Sequence, residues 1–178
     1  MIAELAPFEE EHREAVIGIE NAIFPEYQND SVNWRAGQQF DDPTQASSKY
    51  VAVEINRDLL VGYGAIRATH THRYRLNLMV SSKWQRRGVG RALFAKLEED
   101  LVALQAISLQ ARVRADKLEA LDFVQRQGFS EVHRMEGMGL RRRKYIKVAC
   151  GGANQYDIVH EDLRCSLSKA CYGFTVLG

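Results

Sequence analysis

Long apolar runs are missing from the sequence, and none approaches the roughly 20 residues that a membrane-spanning helix needs. The segment Met1–Glu4 carries an early acid and lacks the basic and then apolar pattern of a signal peptide. The three cysteines are an odd number, and all lie at or after Cys150, so a disulfide framework is not expected. These absences predict a cytoplasmic protein without a membrane partner.

Net charge is also nearly absent, because 24 Lys and Arg face 23 Asp and Glu and leave +1. The chain therefore has no global attraction for nucleic acid, and a charged ligand must be met by a local feature. A length of 178 residues suits one domain with a real core, and 46% hydrophobic and 26% charged residues are ordinary for a globular protein.

Hydrophobic periodicity predicts the order strand, helix, helix, three strands, helix, strand, helix, strand. One of these strands is His72–Val80, with its apolar side chains on one face. Asp116 is predicted to cap the last helix, and Glu119 to complete a capping box. A meander followed by a strand–helix–strand crossover indicates one mixed α/β sheet.

Two glycines, Gly88 and Gly90, stand between a predicted strand and the start of a predicted helix. The first N–H groups of a helix have no internal partner, and together with the helix dipole they form an anion site. Glycine lets a phosphate approach the backbone closely, and the neighbouring arginines add attraction. The segment therefore predicts a diphosphate site, although a Gly-x-Gly before a helix is also typical of a simple strand-to-helix turn.

Other nucleotide-binding loops fit this segment poorly. No Gly-Lys-Ser/Thr ending is present, which argues against a P-loop. Leu93 occupies the position of the third glycine in the dinucleotide fingerprint.

The loop resembles motif A of the GNAT superfamily of acetyl-CoA-dependent N-acetyltransferases, Gln/Arg-x-x-Gly-x-Gly/Ala. Gln85, Gly88 and Gly90 match its fixed positions, and residues 111–114 and 123–129 resemble motif B, which ends in Gly-Phe. The chain is also similar, more weakly, to the N-terminal half of tandem GNAT proteins. The resemblance implies the GNAT fold, an α/β structure whose mostly antiparallel central sheet is flanked by helices and splayed at the coenzyme-binding strand.

The resemblance also implies a domain organisation and a set of coenzyme contacts. The GNAT domain is expected at residues 1–149, followed by a C-terminal tail of uncertain structure at 150–178. Acetyl-CoA is the expected co-substrate, with the pantetheine arm beside the end of the fourth strand and the pyrophosphate at the glycine loop. The residues expected to bind it are Leu78, Met79, Val80, Gln85, Arg86, Arg87, Gly88, Val89, Gly90, Arg91, Asp116 and Phe123.

The activity that the resemblance implies is acetyl transfer to an amine of a small molecule or peptide, by direct attack on the thioester. Many members carry a glutamate base where this chain has Tyr74, and a tyrosine acid where it has Val124. Tyr74 is the candidate catalytic residue, although a phenol with its ordinary pKa of about 10 is a poor base and an inward-facing core aromatic is an equal interpretation. His70 and His72 are alternative bases. A non-catalytic acyl-CoA-binding module therefore stays open, and a homodimer, common in the family, is possible.

The C-terminal part has few interpretable patterns. Its cysteines and His160 lack a paired Cys-x2-4-Cys unit, so no metal site is expected. The basic run 141–144 is interpreted as a solvated hairpin edge, and 145–148 as the final strand.

Overall fold

The computed structural model describes residues 3–38, 47–57, 59–139 and 166–177. A seven-stranded sheet with strand order β1-β2-β3-β4-β5-β7-β6 forms the centre. Its strands are β1 (Ala3–Pro7), β2 (Ser47–Glu54), β3 (Leu59–His70), β4 (Arg73–Val80), β5 (Ser108–Arg114), β6 (Ser130–Gly139) and β7 (Ser166–Leu177). The helices are α1 (Arg13–Ile23), α2 (Ser31–Gln38), α3 (Val89–Ala103) and α4 (Leu118–Arg126).

The strand directions follow from the connections. Hairpins join β2 to β3 and β3 to β4 in antiparallel pairs, whereas α3 carries the chain from β4 to a parallel neighbour, β5. The remaining pairs are antiparallel, so the sheet is mixed and mostly antiparallel, as predicted.

The two faces of the sheet are covered by different helices. On one face, α3 and α4 pack on Tyr74 and Leu76 of β4. On the other, α1 packs on Met79 of β4 and Val51 of β2. Because side chains alternate along a strand, β4 contributes side chains to the hydrophobic core on each face of the sheet. This strand, at the centre of the sheet, is therefore buried from both faces.

Two glycines of β3 set how closely α3 approaches the sheet. A Cβ built on Gly62 would lie 3.0 Å from Leu93 Cδ1 and 3.1 Å from Val89 Cγ1. A Cβ on Gly64 would lie 3.1 Å from Leu97 Cδ1. These distances are tighter than ordinary contacts, so a larger residue would push the start of α3 away from the sheet.

The region after residue 150 differs from the expectation of an uncertain tail. Strand β7 lies between β5 and β6 and pairs with both in antiparallel register. Its backbone hydrogen bonds come from two neighbours. The alternation of Ala170, Tyr172, Phe174 and Val176 with Cys171, Gly173 and Thr175 is a strand signal that the sequence prediction overlooked. The predicted final strand at 145–148, the basic run 141–144, Cys150, His160 and Cys165 lie outside the described residues.

The predicted cap of α4 is wrong. The helix starts at Leu118 with Lys117 as its N-cap residue, and no side chain caps it. The Asp116 carboxylate instead accepts hydrogen bonds from Arg114 Nε and Nη2, each at 2.9 Å. A bidentate pair with the charged Arg114 guanidinium gives the carboxylate two charge-assisted hydrogen bonds in place of a cap hydrogen bond.

In the described parts of the chain, none of the helices has the length and apolar character that crossing a membrane requires. The cytoplasmic location stays a prediction.

Candidate functional site

The sheet opens between its two central strands. Strands β4 and β5 pair only from Arg73–Ser108 to Leu76–Ala111. Strand β4 nevertheless continues to Val80 and β5 to Arg114. The two strands therefore diverge after Leu76, which confirms the predicted splay at the fourth strand.

The backbone of β4 beyond this point faces the gap. The Ser81 N–H donates to Val61 O on the β3 side at 2.9 Å. Since backbone groups of successive strand residues point to opposite sides, those of Val80 and Leu78 point toward the gap. Gln85 Nε2 donates to Val80 O at 3.1 Å, so the first residue of the motif fastens the loop to the strand end.

The glycine loop has the backbone geometry of an anion site. Gly88 is the N-cap residue of α3 with φ 85°, and Arg86 also has a positive φ of 60°. The first helical hydrogen bond runs from Ala92 N–H to Gly88 O at 2.9 Å. The N–H groups of residues 89–91 therefore have no acceptor within the helix and lie at its positive end.

Three exposed arginines surround this helix start. Arg86 Nη1 lies 3.3 Å from the Asp122 carboxylate of α4, and the Arg87 guanidinium lies over the Trp84 ring, 5.2 Å from its centroid. Arg91 follows in the first turn of α3. Positive side chains and free N–H groups thus converge where the motif predicts a diphosphate.

Phe123 closes the site from α4. A Cβ built on Gly90 would lie 3.6 Å from Val80 Cγ2 and 3.7 Å from Phe123 Cε2, both ordinary contact distances. The ring of Phe123 also meets Phe94 edge to face, with centroids 6.3 Å apart. The structure therefore brings together the end of β4, the start of α3 and Phe123.

Asp116 belongs to a cluster that ties β5 to the segment after α1. Its partner Arg114 also contacts the Glu26 carboxylate, and Lys117 Nζ donates to Ile23 O at 3.0 Å. The hydrogen bonds that Arg114 donates to the Asp116 carboxylate hold the pKa of the Arg114 guanidinium above its usual value. The Asp116 side chain is thus engaged by Arg114, so any contact with a ligand would have to share it.

A separate cleft of about 360 Å³ opens on the α1 and α2 face of the sheet. It reaches the splay, because Leu76 and Asn77 of β4 line it. The helix α2 contributes Asn33 and Trp34 to its lining, and Asp30, the residue before the helix, accepts a hydrogen bond from the Asn33 N–H at 2.7 Å. Its other lining residues are Asn29, Lys49, Tyr63, Ala65, Ile66, Arg67, Arg75 and Arg112.

The candidate proton-transfer residues lie elsewhere. Tyr74 is 4% exposed within the core under α3, and Val124 is 5% exposed in the same cluster. His70 and His72 lie at the β3–β4 hairpin, and His72 Nδ1 contacts Leu104 O at 3.2 Å. Strand β4 separates that turn from Val80 by roughly 25 Å at about 3.3 Å per residue.

Among the residues that the structure describes, no cluster of three or more His, Cys, Asp or Glu side chains could hold a metal ion.

The positively charged residues that line the cleft were not predicted from the sequence, because they come from separate strands.

The model of the acetyltransferase (GNAT) family matches residues 13–129. The chain therefore belongs to the GNAT acetyltransferase family, whose members use acetyl-CoA. The match contains the splayed strand, the glycine loop and Phe123.

Solved structures share the fold over nearly the whole chain. One is a protein provisionally assigned as a phosphinothricin N-acetyltransferase, with 15% identity, a TM-score of 0.70 and 98% of each chain covered. Another is the ribosomal-protein-S18-alanine N-acetyltransferase from Escherichia coli, with 15% identity, a TM-score of 0.67 and 98% of this chain and 93% of that one covered. A third, a provisionally assigned acetyltransferase from Salmonella typhimurium solved with its cofactor acetyl-CoA, has 14% identity, a TM-score of 0.65 and the same coverage. No curated protein sequence matches the chain.

Proposed function

We propose that this protein is an N-acetyltransferase that moves an acetyl group from acetyl-CoA to an amine of a small molecule or peptide. The observation that carries the proposal is the divergence of β4 from β5 after Leu76, immediately before the glycine loop. The cleft reaches β4 at Leu76 and Asn77, where the gap begins, so a thioester bound along the gap and an amine bound in the cleft can approach each other there.

The residues present fit acetyl-CoA. In the proposed arrangement, the N–H groups of residues 88–91 bind the pyrophosphate, and Arg86, Arg87 and Arg91 contribute positive charge. The glycine loop, which begins at Gln85, and the side chain of Phe123 on α4 border the coenzyme. Leu78, Met79 and Val80 line its arm chiefly through their backbone, because their side chains are largely committed to packing.

Acetyl-CoA supplies a thioester whose carbonyl an amine attacks. The protein then needs to polarise that carbonyl, and the backbone N–H groups of Leu78 and Val80 that face the gap can donate to it. Fixed donors in a partly dry site stabilise developing negative charge without having to reorganise. An acceptor bound in the cleft places its amine nitrogen on the side of β4 opposite the thioester. Holding the amine and the thioester close together supplies much of the rate acceleration.

A general base is harder to assign, which favours a second hypothesis. In the described part of the cleft, none of the lining residues is a carboxylate or a histidine, and Tyr74 lies inside the core. A non-catalytic acyl-CoA-binding module would have this composition. An amine that loses its proton to solvent before binding would also react without a protein base.

Turnover separates the two hypotheses. The purified protein is incubated with acetyl-CoA and a panel of amines, and release of free CoA is followed with a thiol reagent. Amine-dependent release supports the transferase. Tight binding of acetyl-CoA with no release above the rate without amine supports the binding module and contradicts the proposed activity.

A further inference from the structure

The charged side chains among the described residues that line the cleft beside the splay are all positive. Lys49, Arg67, Arg75 and Arg112 all line it, and no acidic residue does so among the described lining residues. The whole chain carries only +1, so this concentration of positive charge is local. Arg67 and Arg112 are exposed and Lys49 and Arg75 are half-buried, and all four stand on inner strands of the sheet and line the same cleft.

The strand register explains how the guanidinium groups meet. Arg67 of β3 is the direct register partner of Arg75 of β4. Arg75 pairs with Gln110 of β5, and Arg112 lies one pleat further along the same face. Like charges on neighbouring strands repel, so the sheet alone gains nothing from this arrangement.

Two polar groups in the cleft are buried and unsatisfied. Within the described parts of the chain, Arg75 Nε and Trp34 Nε1 are shielded from solvent and have no hydrogen-bond partner. Burial, followed by the charges of Arg112 and Arg67, lowers the pKa of the Arg75 guanidinium. Both unsatisfied atoms are donors, so the complementary ligand must present an acceptor and preferably a negative charge.

We propose that the acceptor is a small amine that also carries an oxyanion, a carboxylate or a phosphate, and that Arg75 and Arg112 bind this oxyanion in the cleft. This inference rests on the proposed acetyltransferase function and names its class of substrate. A guanidinium binds carboxylate and phosphate through paired N–H donors, and the Trp34 indole N–H adds a further donor. The volume of about 360 Å³ lies at the lower end of small-molecule sites, which span roughly 300–1,000 Å³.

The bound oxyanion fixes the position of the amine. Asn77 follows Leu76 at the splay and also lines the cleft. An amine held by its oxyanion at Arg75 would therefore extend along β4 toward the gap where the thioester is expected. The cationic lining also disfavours a protonated ammonium, because like charges lower the pKa of an amine.

The test compares matched amines that differ only in the oxyanion. The pairs are α-amino acids with their decarboxylated amines, and O-phosphoethanolamine with ethanolamine. Loss of one charged hydrogen-bonded pair costs roughly 10- to 100-fold, so kcat/KM should favour the anionic members by at least that factor. Preference for the amino acids identifies a carboxylate, and preference for O-phosphoethanolamine identifies a phosphate.

Variants connect this preference to the cleft. Arg75→Met and Arg112→Met should each reduce the preference by roughly 10-fold or more while the Kd for acetyl-CoA stays unchanged. Arg112 is exposed, so its replacement should fold even if the half-buried Arg75 proves necessary for folding. Arg73→Met is the matched control, because Arg73 is an exposed arginine of β4, the strand that carries Arg75, and does not line the cleft.

Equal or reversed preference in an enzyme that turns over would overturn the inference and leave the proposed function intact. A clear preference for a peptide with acidic residues at its N-terminus, over every small amine, would also overturn the inference. If acetyl-CoA binds but no amine reacts, the same pairs are titrated calorimetrically into protein saturated with CoA. Binding of the anionic members alone, weakened in Arg112→Met, supports the oxyanion site, and no binding of any member refutes it.

Discussion

The glycine loop gives the sharpest mutational prediction, because its two glycines differ in what they require. Gly88 has φ 85°, and a Cβ built on it would meet nothing within 4 Å. The cost of Gly88→Ala is therefore conformational rather than steric. A non-glycine residue in the left-handed region costs roughly 1–2 kcal/mol.

This cost must appear in one of two measurable places. If the loop keeps its shape in the free protein, the free energy of unfolding falls by about 1–2 kcal/mol. If the loop relaxes instead, the same free energy is lost from coenzyme binding, and the Kd for acetyl-CoA rises roughly 5- to 30-fold. Gly88→Asn should lose less, because asparagine visits the left-handed region more easily.

Gly90→Ala is the matched control. Gly90 lies inside α3 without a positive φ, and its added Cβ would make only ordinary contacts with Val80 and Phe123. Alanine is favoured over glycine in a helix by roughly 0.5–1 kcal/mol, so stability should stay constant or rise. Urea unfolding and calorimetric titration with acetyl-CoA measure both quantities. The reasoning fails if Gly88→Ala changes neither, or if Gly90→Ala is the more damaging substitution.

Three further predictions concern single side chains. Tyr74→Phe should keep kcat within about threefold, because Tyr74 lies in the core, and a loss beyond about 100-fold would return it to a catalytic role. Leu93→Ala should lower the free energy of unfolding by roughly 2–5 kcal/mol in urea titrations, since Leu93 is 0% exposed against the β3 glycines, and a loss below about 1 kcal/mol would contradict this packing. Tyr50 donates to Asp100 Oδ2 at 2.8 Å, and this hydrogen bond raises the Tyr50 pKa. Because the Tyr50 pKa is higher in the folded than in the unfolded protein, the hydrogen bond stabilises the fold fully at pH values below the unfolded pKa of about 10. This stabilisation is lost as the pH rises through the folded pKa. Tyr50→Phe should therefore cost about 1 kcal/mol at pH 7, and its difference from the wild type should shrink above pH 10; a difference independent of pH would refute the assignment.

The coenzyme loop could be predicted from sequence because its geometry is local. A left-handed residue at the start of a helix requires glycine at Gly88, and Gln85 reaches only five residues back to Val80. Both constraints act within a few residues, so the sequence carries them directly. The splay between β4 and β5, by contrast, was inferred from family resemblance, because no local pattern states where a strand pair ends.

Other features depend on contacts distant in the chain. Strand β7 is placed by pairing with β5 and β6, and the alternation at 170–176 indicates a strand but not its neighbours in the sheet. Asp116 was predicted as a helix cap because the presence of Arg114 two residues earlier was not weighed against it. The cationic cleft appears only when the strand register sets Arg67 beside Arg75. The signal in the sequence that could have revealed this cleft is the occurrence of arginines at alternate positions of inner strands, on the face opposite the apolar residues.

The central claim is that the loop after β4 binds the coenzyme, and calorimetric titration of the purified protein with acetyl-CoA tests it most directly, with ATP and NAD as controls. The account predicts a micromolar Kd for acetyl-CoA that Gly90→Ala leaves unchanged, with no comparable binding of ATP or NAD. A folded protein that does not bind acetyl-CoA, or that binds ATP or NAD equally well, would contradict it.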